Sequence, residues 1–414
     1  VPRPTSERSL LFLVGAVQFV NVLDFMMVMP LGPDFARGLG IPASRLGLVG
    51  GAYTGAAALA GLLAATFLDR FDRRRALAVA MLGLVAGTAA GGLATGLGTM
   101  VAARVAAGAF GGPATSLSLS IVADAVPAER RGKALGAVMG AFSVASVLGV
   151  PAGLELARRG GWRFPFFAVA GLGLVVAGSA LVLMPPMTAH LGRVRDAAAA
   201  PRVALHRQPV ALLSLAATAT AMMSGFAIIP NIAAHLQFNL GYPREGLGAL
   251  YMAGGAVSFL VLRVAGRWVD RIGAPRVAAL GTAVFVAVMM VAFAFPPSGL
   301  PVMAAFVAFM IGNSLRNVSM NTLSSRVPSP AERARFMSTQ SAVQHLASAV
   351  GAALSTQLLS VEPDGRIAGV RTLAFFSATV ASGLPFLLRA VSAGISRRDA
   401  LRHAPVQHVP AGLG

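Results

Sequence analysis

In a chain of 414 residues that is 56% hydrophobic and 12% charged, the informative residues are the ionisable ones buried in apolar runs. Asp24 lies in Gln18-Phe19-Val20-Asn21-Val22-Leu23-Asp24-Phe25-Met26-Met27-Val28-Met29-Pro30. Arg104 lies in another such run. Arg316 lies in a third, within Gly312-Asn313-Ser314-Leu315-Arg316-Asn317-Val318-Ser319-Met320-Asn321. An ionised group at bilayer depth costs at least about 2.5–3.5 kcal/mol, so function should be sought where such groups are found. A carboxyl group there can take up and release a proton as its partners change. A guanidinium can hold that carboxylate, or bind an anionic or carbonyl-bearing ligand. No HExxH, phosphate-binding glycine loop or pair of catalytic carboxylates is apparent, so the chain reads as neither an enzyme nor an ATP-driven machine. With no cysteine it has no disulfide, thiolate metal ligand or thiol nucleophile, and no metal site is expected.

The elements that must position these groups are membrane spans. A helix crosses the hydrocarbon layer in about 20 apolar residues. Such runs lie near 10–31, 46–68, 76–96, 99–123, 133–156 and 163–184, and again near 209–236, 246–268, 276–296, 301–325, 334–359 and 370–390. The first contains Asp24 and lacks a small-residue cleavage site at its end, so it reads as a span and not as a cleaved leader. The segment 185–208 is the longest polar interruption. The expected division is therefore 1–184 as a first six-helix bundle, 185–208 as a cytosolic linker, 209–390 as a second bundle and 391–414 as a cytosolic tail.

The net charge of +19, from 34 Lys+Arg against 15 Asp+Glu, would alone suggest a nucleic-acid partner. Its distribution removes that reading. With both termini in the cytosol, the basic residues concentrate in the tails, the linker and the 69–75, 124–133, 267–276 and 326–335 loops, while few fall in the outside loops. The charge specifies topology. The expected location is a bacterial inner membrane, multi-pass, with both termini cytosolic.

The halves echo each other. Leu68-Asp69-Arg70 recurs as Val269-Asp270-Arg271, and Ala128-Glu129-Arg130 as Ala331-Glu332-Arg333. Parallel repeats of this kind occur in transporters. Asp69-Arg70-Phe71-Asp72-Arg73-Arg74-Arg75-Ala76-Leu77 resembles the signature loop of the major facilitator superfamily, G-x-x-x-D-R-x-G-R-R/K-x-x-L, with Ala65 and Asp72 at the two glycine positions. Arg104-Val105-Ala106-Ala107-Gly108 resembles the family's R-x-x-x-G motif. Gly140, followed by Gly149-Val150-Pro151-Ala152-Gly153, resembles the proline–glycine motif of the twelve-span drug:proton antiporter branch.

The resemblance implies an all-α integral membrane fold of twelve helices in two pseudo-symmetric six-helix bundles, working by alternating access. It implies that Asp69, Arg70, Arg73 and Arg74 form a conformational latch. Gly140, Gly149, Pro151 and Gly153 would let a neighbouring span pack closely. It places the first and fourth spans on a central cavity. Asp24 lies about seven residues from the outer end, roughly 10 Å, and Arg104 about six, roughly 9 Å, so the two can meet at similar depth.

The expected function is proton-coupled efflux of a small, mainly apolar organic compound, a drug or secondary metabolite. Asp24 would carry the proton and Arg104 would tune it. Polar contacts to the substrate are expected from Asn21, from Asn231 and His235, from the stripe Asn313, Arg316 and Asn317, and from Gln344 and His345, with Met27 in a soft apolar wall. Each has a structural alternative: a helix–helix hydrogen bond, an inner gate or ordinary packing. Glu155, with Arg158 and Arg159 at i+3 and i+4, reads as an interfacial ion pair or a second proton site. Uptake of a polar metabolite on the same fold, a lipid flippase and a non-transporting sensor are the alternatives. The expected partners are the substrate, protons and membrane lipid, with no nucleic acid, for a monomer that draws on the proton gradient and uses no cofactor.

Overall fold

The computed structural model describes residues 6–188, 208–328 and 333–403. Of the segments expected above, most of the linker (189–207) and the end of the tail (404–414) lie outside these residues. So do the side chains of Asp69, Glu129 and Glu332.

The described chain is helical except for one two-residue strand pair, Ser360–Val361 with Ile367–Ala368. Its long helices are α1 Glu7–Met27, α2 Ala43–Ala64, α3 Arg73–Gly92, α4 Leu97–Ala125, α5 Ala134–Gly160, α6 Phe164–Leu183, α7 Pro209–Asn239, α8 Arg244–Ile272, α9 Ala274–Ala294, α10 Val302–Ser324, α11 Arg333–Leu358 and α12 Val370–Ala400. Eleven are long and apolar enough to cross a membrane. The twelfth, α11, has 26 residues but interrupts its apolar pattern with Gln340, Gln344, His345 and Ser348. A helix that lines a cavity does not need to be apolar on every side. The last helical stretch runs on to His403, past the boundary expected at 390, so the tail begins as a continuation of α12.

Local chemistry sets the ends and the breaks. Ser6 caps α1 by accepting from the Ser9 amide at 3.2 Å. A short helix, Gly32–Leu39, follows α1 and ends at Gly40 with φ of 64°. In α5 the turn Ala145–Gly149 widens to π geometry just before Pro151, whose missing N–H interrupts the regular ladder. In α7 the helix gives way at Ile229–Asn231, around Pro230.

The helices form the two-bundle architecture. One apolar core fills the first bundle and continues across the face opposite the termini, through Phe35, Leu46, Ile232, Leu236, Leu247 and Val370. A separate core, including Val269, Val277, Leu323, Phe336 and Leu388, fills the terminus-proximal part of the second bundle. Cross-bundle contacts are found on the face opposite the termini. There Gly47 of α2 lies against the Ala352 carbonyl of α11, so that a Cβ at that position would strike the backbone. Ser146 of α5 packs on Gly255 of α8. Arg244 forms an ion pair with Asp34 at 2.5 Å, and Arg37 donates to Gln237 Oε1 at 3.0 Å.

Candidate functional site

The site is assembled where α1, α2 and α4 meet. Gly108 is the reason α4 can approach α2: a Cβ there would run into the Tyr53 carbonyl oxygen. This close approach brings Arg104, one turn earlier on α4, to Asp24 on α1. Arg104 Nη2 donates to Asp24 Oδ2 at 2.7 Å and Nη1 to Oδ1 at 3.0 Å, a bidentate pair. Thr88 of α3 donates a third hydrogen bond to Oδ1 at 2.8 Å. The two ionic side chains are 0% and 1% exposed. Arg104 also lies over the Tyr53 ring, 4.9 Å from its centroid. The expected juxtaposition of Asp24 and Arg104 is therefore a closed, desolvated ion pair.

Tyr53 separates this pair from a cavity of about 100 Å³ between the bundles. From the first bundle the cavity is lined by Asn21, Val22, Phe25, Tyr53, Thr54 and Thr115, and from the second by Phe226, Gln344, His345 and Ser348. Three aromatic rings bridge the bundles, with Phe25 5.1 Å from Tyr53 and 5.9 Å from Phe226. Gln344 and His345 are part of this lining. Asn21 also lines the cavity, but its amide is committed to the fold. Its nitrogen donates to the Gly111 carbonyl at 2.9 Å and to Thr115 Oγ1 at 2.7 Å, and its oxygen accepts from the Tyr53 hydroxyl at 2.6 Å.

Other expected substrate contacts lie elsewhere. Met27 is buried in the first-bundle core. Asn231 is buried and donates to Ser355 Oγ at 2.9 Å, pinning α7 to α11. His235 is buried against Phe293, at 4.6 Å between centroids, with Nε2 2.9 Å from the Ala292 carbonyl. These three side chains are held by packing and local bonds, away from the cavity lining. The stripe on α10 divides: Arg316 is fully buried, Asn313 and Asn317 are half-buried, and Asn321 is exposed. Asn317 spends one donor on the Asn313 carbonyl, at 3.0 Å.

The motif residues keep to the first bundle. Arg73 pairs with Asp124 at 2.6 Å, and Arg74 donates to the Met184 carbonyl at 3.2 Å, while Arg70 is exposed. Asp72 stands where the family loop has glycine, yet its φ is −55°, so nothing there demands glycine. Its carboxylate accepts from the Arg74 amide at 2.8 Å and the Met187 amide at 3.1 Å, tying α3 to the segment that follows α6. Gly149 makes room for Leu23, and Gly153 faces Met27, so the proline–glycine segment packs on α1. Gly140 has only its own helix for a neighbour, at the Ala137 and Gly136 carbonyls, and takes no part in that packing. Pro151 acts through the π turn. Glu155 pairs with Arg158 at 2.7 Å and Arg159 at 2.6 Å, the expected interfacial arrangement.

Sequence reasoning missed Thr88, Tyr53 and the Asp34–Arg244 pair. Tyr53 carried a signal, being one of three tyrosines in the chain and set in an apolar run. Thr88 carried none, since a hydroxyl in a span bonds readily to its own helix, as this one also does to the Leu84 carbonyl at 2.8 Å.

The sequence matches the family model described as Major Facilitator Superfamily over residues 14–352 and 214–400. It is similar to a chloramphenicol resistance protein of Streptomyces lividans, at 28% identity over 262 residues, which is 63% of this chain and 67% of that one. An uncharacterized MFS-type transporter of Bacillus subtilis, YwfA, is 24% identical over 342 residues, 80% of each chain. Other relatives are matched over 42% or 41% of their own length. Among solved structures, a peptide transporter aligns with a TM-score of 0.71 at 16% identity, covering 94% of this chain and 95% of that one. A bacterial homolog of the human lysosomal transporter Spinster aligns with a TM-score of 0.68 at 17% identity over 94% of both chains. At these identities the structural likeness shows the fold.

Proposed function

The chain belongs to the Major Facilitator Superfamily, and we propose that within it this protein exports a small, mainly apolar organic compound in exchange for protons. It is a multi-pass membrane protein and a non-enzymatic secondary transporter of a small molecule. The observation that carries the finer reading is the Asp24–Arg104 pair. It is a carboxylate buried at bilayer depth, held by three hydrogen bonds, one tyrosine ring away from an aromatic-lined cavity. Protonating Asp24 would leave Arg104 without a counter-charge, so the two states of the carboxyl favour different arrangements around Tyr53. That is how a proton can bias alternating access. The likeness to a chloramphenicol resistance protein supports an export role.

The orientation belongs to the same reading. The basic loops put both termini in the cytosol of a bacterial inner membrane. The bundles then meet on the outer side, and this conformation faces inward. The protein acts as a monomer, with the proton gradient as its energy source. The loop Asp69–Arg74 braces the first bundle as it rocks.

The test is transport in proteoliposomes with an acid lumen. Substrate added outside should dissipate the gradient in the wild type and leave it intact in Asp24→Asn. Accumulation of a polar metabolite along with protons would favour uptake, a reading supported by Thr54, Thr115, Gln344 and Ser348 in the cavity wall.

A further inference from the structure

We propose that the transported compound carries an acidic group and that Arg316 is the cation that receives it, an assignment of substrate class that rests on the transport reading above. Arg316 is fully buried on α10. Its Nη2 donates to Ser224 Oγ on α7 at 2.5 Å, and its guanidinium carbon lies 4.2 Å from the centre of the Phe285 ring. Its Nε and Nη1 have no partner among the described residues. A hydroxyl and a ring face offset part of the desolvation cost of a guanidinium. A carboxylate is what offsets most of it.

Among the described residues no carboxylate reaches Arg316. The described acids of the second half, Glu245, Asp270, Glu362, Asp364 and Asp399, each lie in a loop or near a helix end. In the first half, Asp24 is saturated by Arg104 and Thr88. The two bundles are therefore unequal: the first holds a neutral ion pair and the second an uncompensated cation. The missing charge must come from outside the chain.

Arg316 is buried outside the cavity lining, so the ligand would reach it by parting the seam between α7 and α10. Gly225, next to Ser224, presents no side chain there, and Asn313 Oδ1 is 3.7 Å from where its Cβ would stand. Phe226, the next residue on α7, lines the cavity. Half-buried Asn313 and Asn317 flank Arg316 on α10 and supply neutral amides. A ligand that fits this arrangement has an apolar, aromatic body in the cavity beside the paired rings of Phe25 and Phe226 and a carboxylate or similarly acidic oxygen at Arg316. A cationic ligand does not fit, because the cavity lining contains no acid among the described residues.

The test is ligand binding to the purified full chain in detergent at neutral pH, without a proton gradient. The probes are naphthoate, biphenylcarboxylate and indolecarboxylate, each against its primary amide, read by thermal shift and equilibrium dialysis. In the wild type the acids should bind about tenfold or more tightly than the amides, the value of a charge-assisted hydrogen bond. Arg316→Gln should erase that preference and Arg316→Lys should keep it. The wild-type comparison needs no variant to fold. Equal binding of acid and amide in all three pairs, or a preference that survives in Arg316→Gln, overturns the proposal. Stabilisation by sodium chloride that the acids do not displace assigns the site to an inorganic anion and also overturns it. If Asp24→Asn transports in a coupled manner while the acid preference holds, the proton-coupling reading fails and the Arg316 assignment stands.

Discussion

At the scale of single residues, the Asp24 carboxylate is fully buried and held by Arg104 on both oxygens and Thr88 on one. Arg104→Ala should lower stability by about 3–5 kcal/mol, because it leaves a buried carboxylate unpaired. Thermal unfolding of the purified protein checks this, and a loss within error of zero would mean that water reaches the site. Tyr53→Phe should cost about 1–3 kcal/mol by the same measurement, since it strips the hydrogen bond from the buried Asn21 oxygen. Asp24 and Arg104 were legible in the sequence because charge in an apolar run is expensive and therefore conspicuous. Thr88 and Tyr53 were not, because neither carries a charge and their partners depend on how the helices are rotated. The same limit explains Met27, Asn231 and His235. Their residue types suited a binding wall, but which side of a helix faces the cavity is decided by packing across the bundle.

At the scale of elements, close backbone approach sets the site. Gly108 holds α4 against the Tyr53 backbone, so Gly108→Val should force the helices apart, cost about 1–3 kcal/mol or more in overpacking and separate Arg104 from Asp24. Gly98→Val, on the same helix where a Cβ meets nothing within 4 Å, is the control and should leave the melting temperature unchanged. The twelve helices were readable from apolar run length, and their ends shifted only where caps and breaks intervene. The unreadable part was local: the π turn before Pro151 and the break at Pro230 follow from where a missing N–H can be tolerated in the packed bundle. The family loop shows the same point. Asp72, which stands at a glycine position of the family loop, is the cap of α3.

At the scale of the whole molecule, the bundles are joined on the face opposite the termini by apolar packing and by polar contacts that include Asp34–Arg244 and Arg37–Gln237. Nothing in the sequence pairs charges 210 positions apart, so this clasp needed the structure. The chain has no cysteine, which makes it a clean background for cross-linking. Arg37→Cys with Gln237→Cys should join through a bifunctional thiol reagent and arrest transport, and adding Asp34→Asn should lower the yield by loosening the clasp. Unchanged transport in the joined protein would mean that this face does not open. The central claim is that Asp24 couples the proton to this motion. It is tested most directly by measuring substrate exchange and pH-driven transport in the same proteoliposomes. In Asp24→Asn, exchange should persist and pH-driven transport should disappear. Retention of pH-driven transport by that variant would contradict the account.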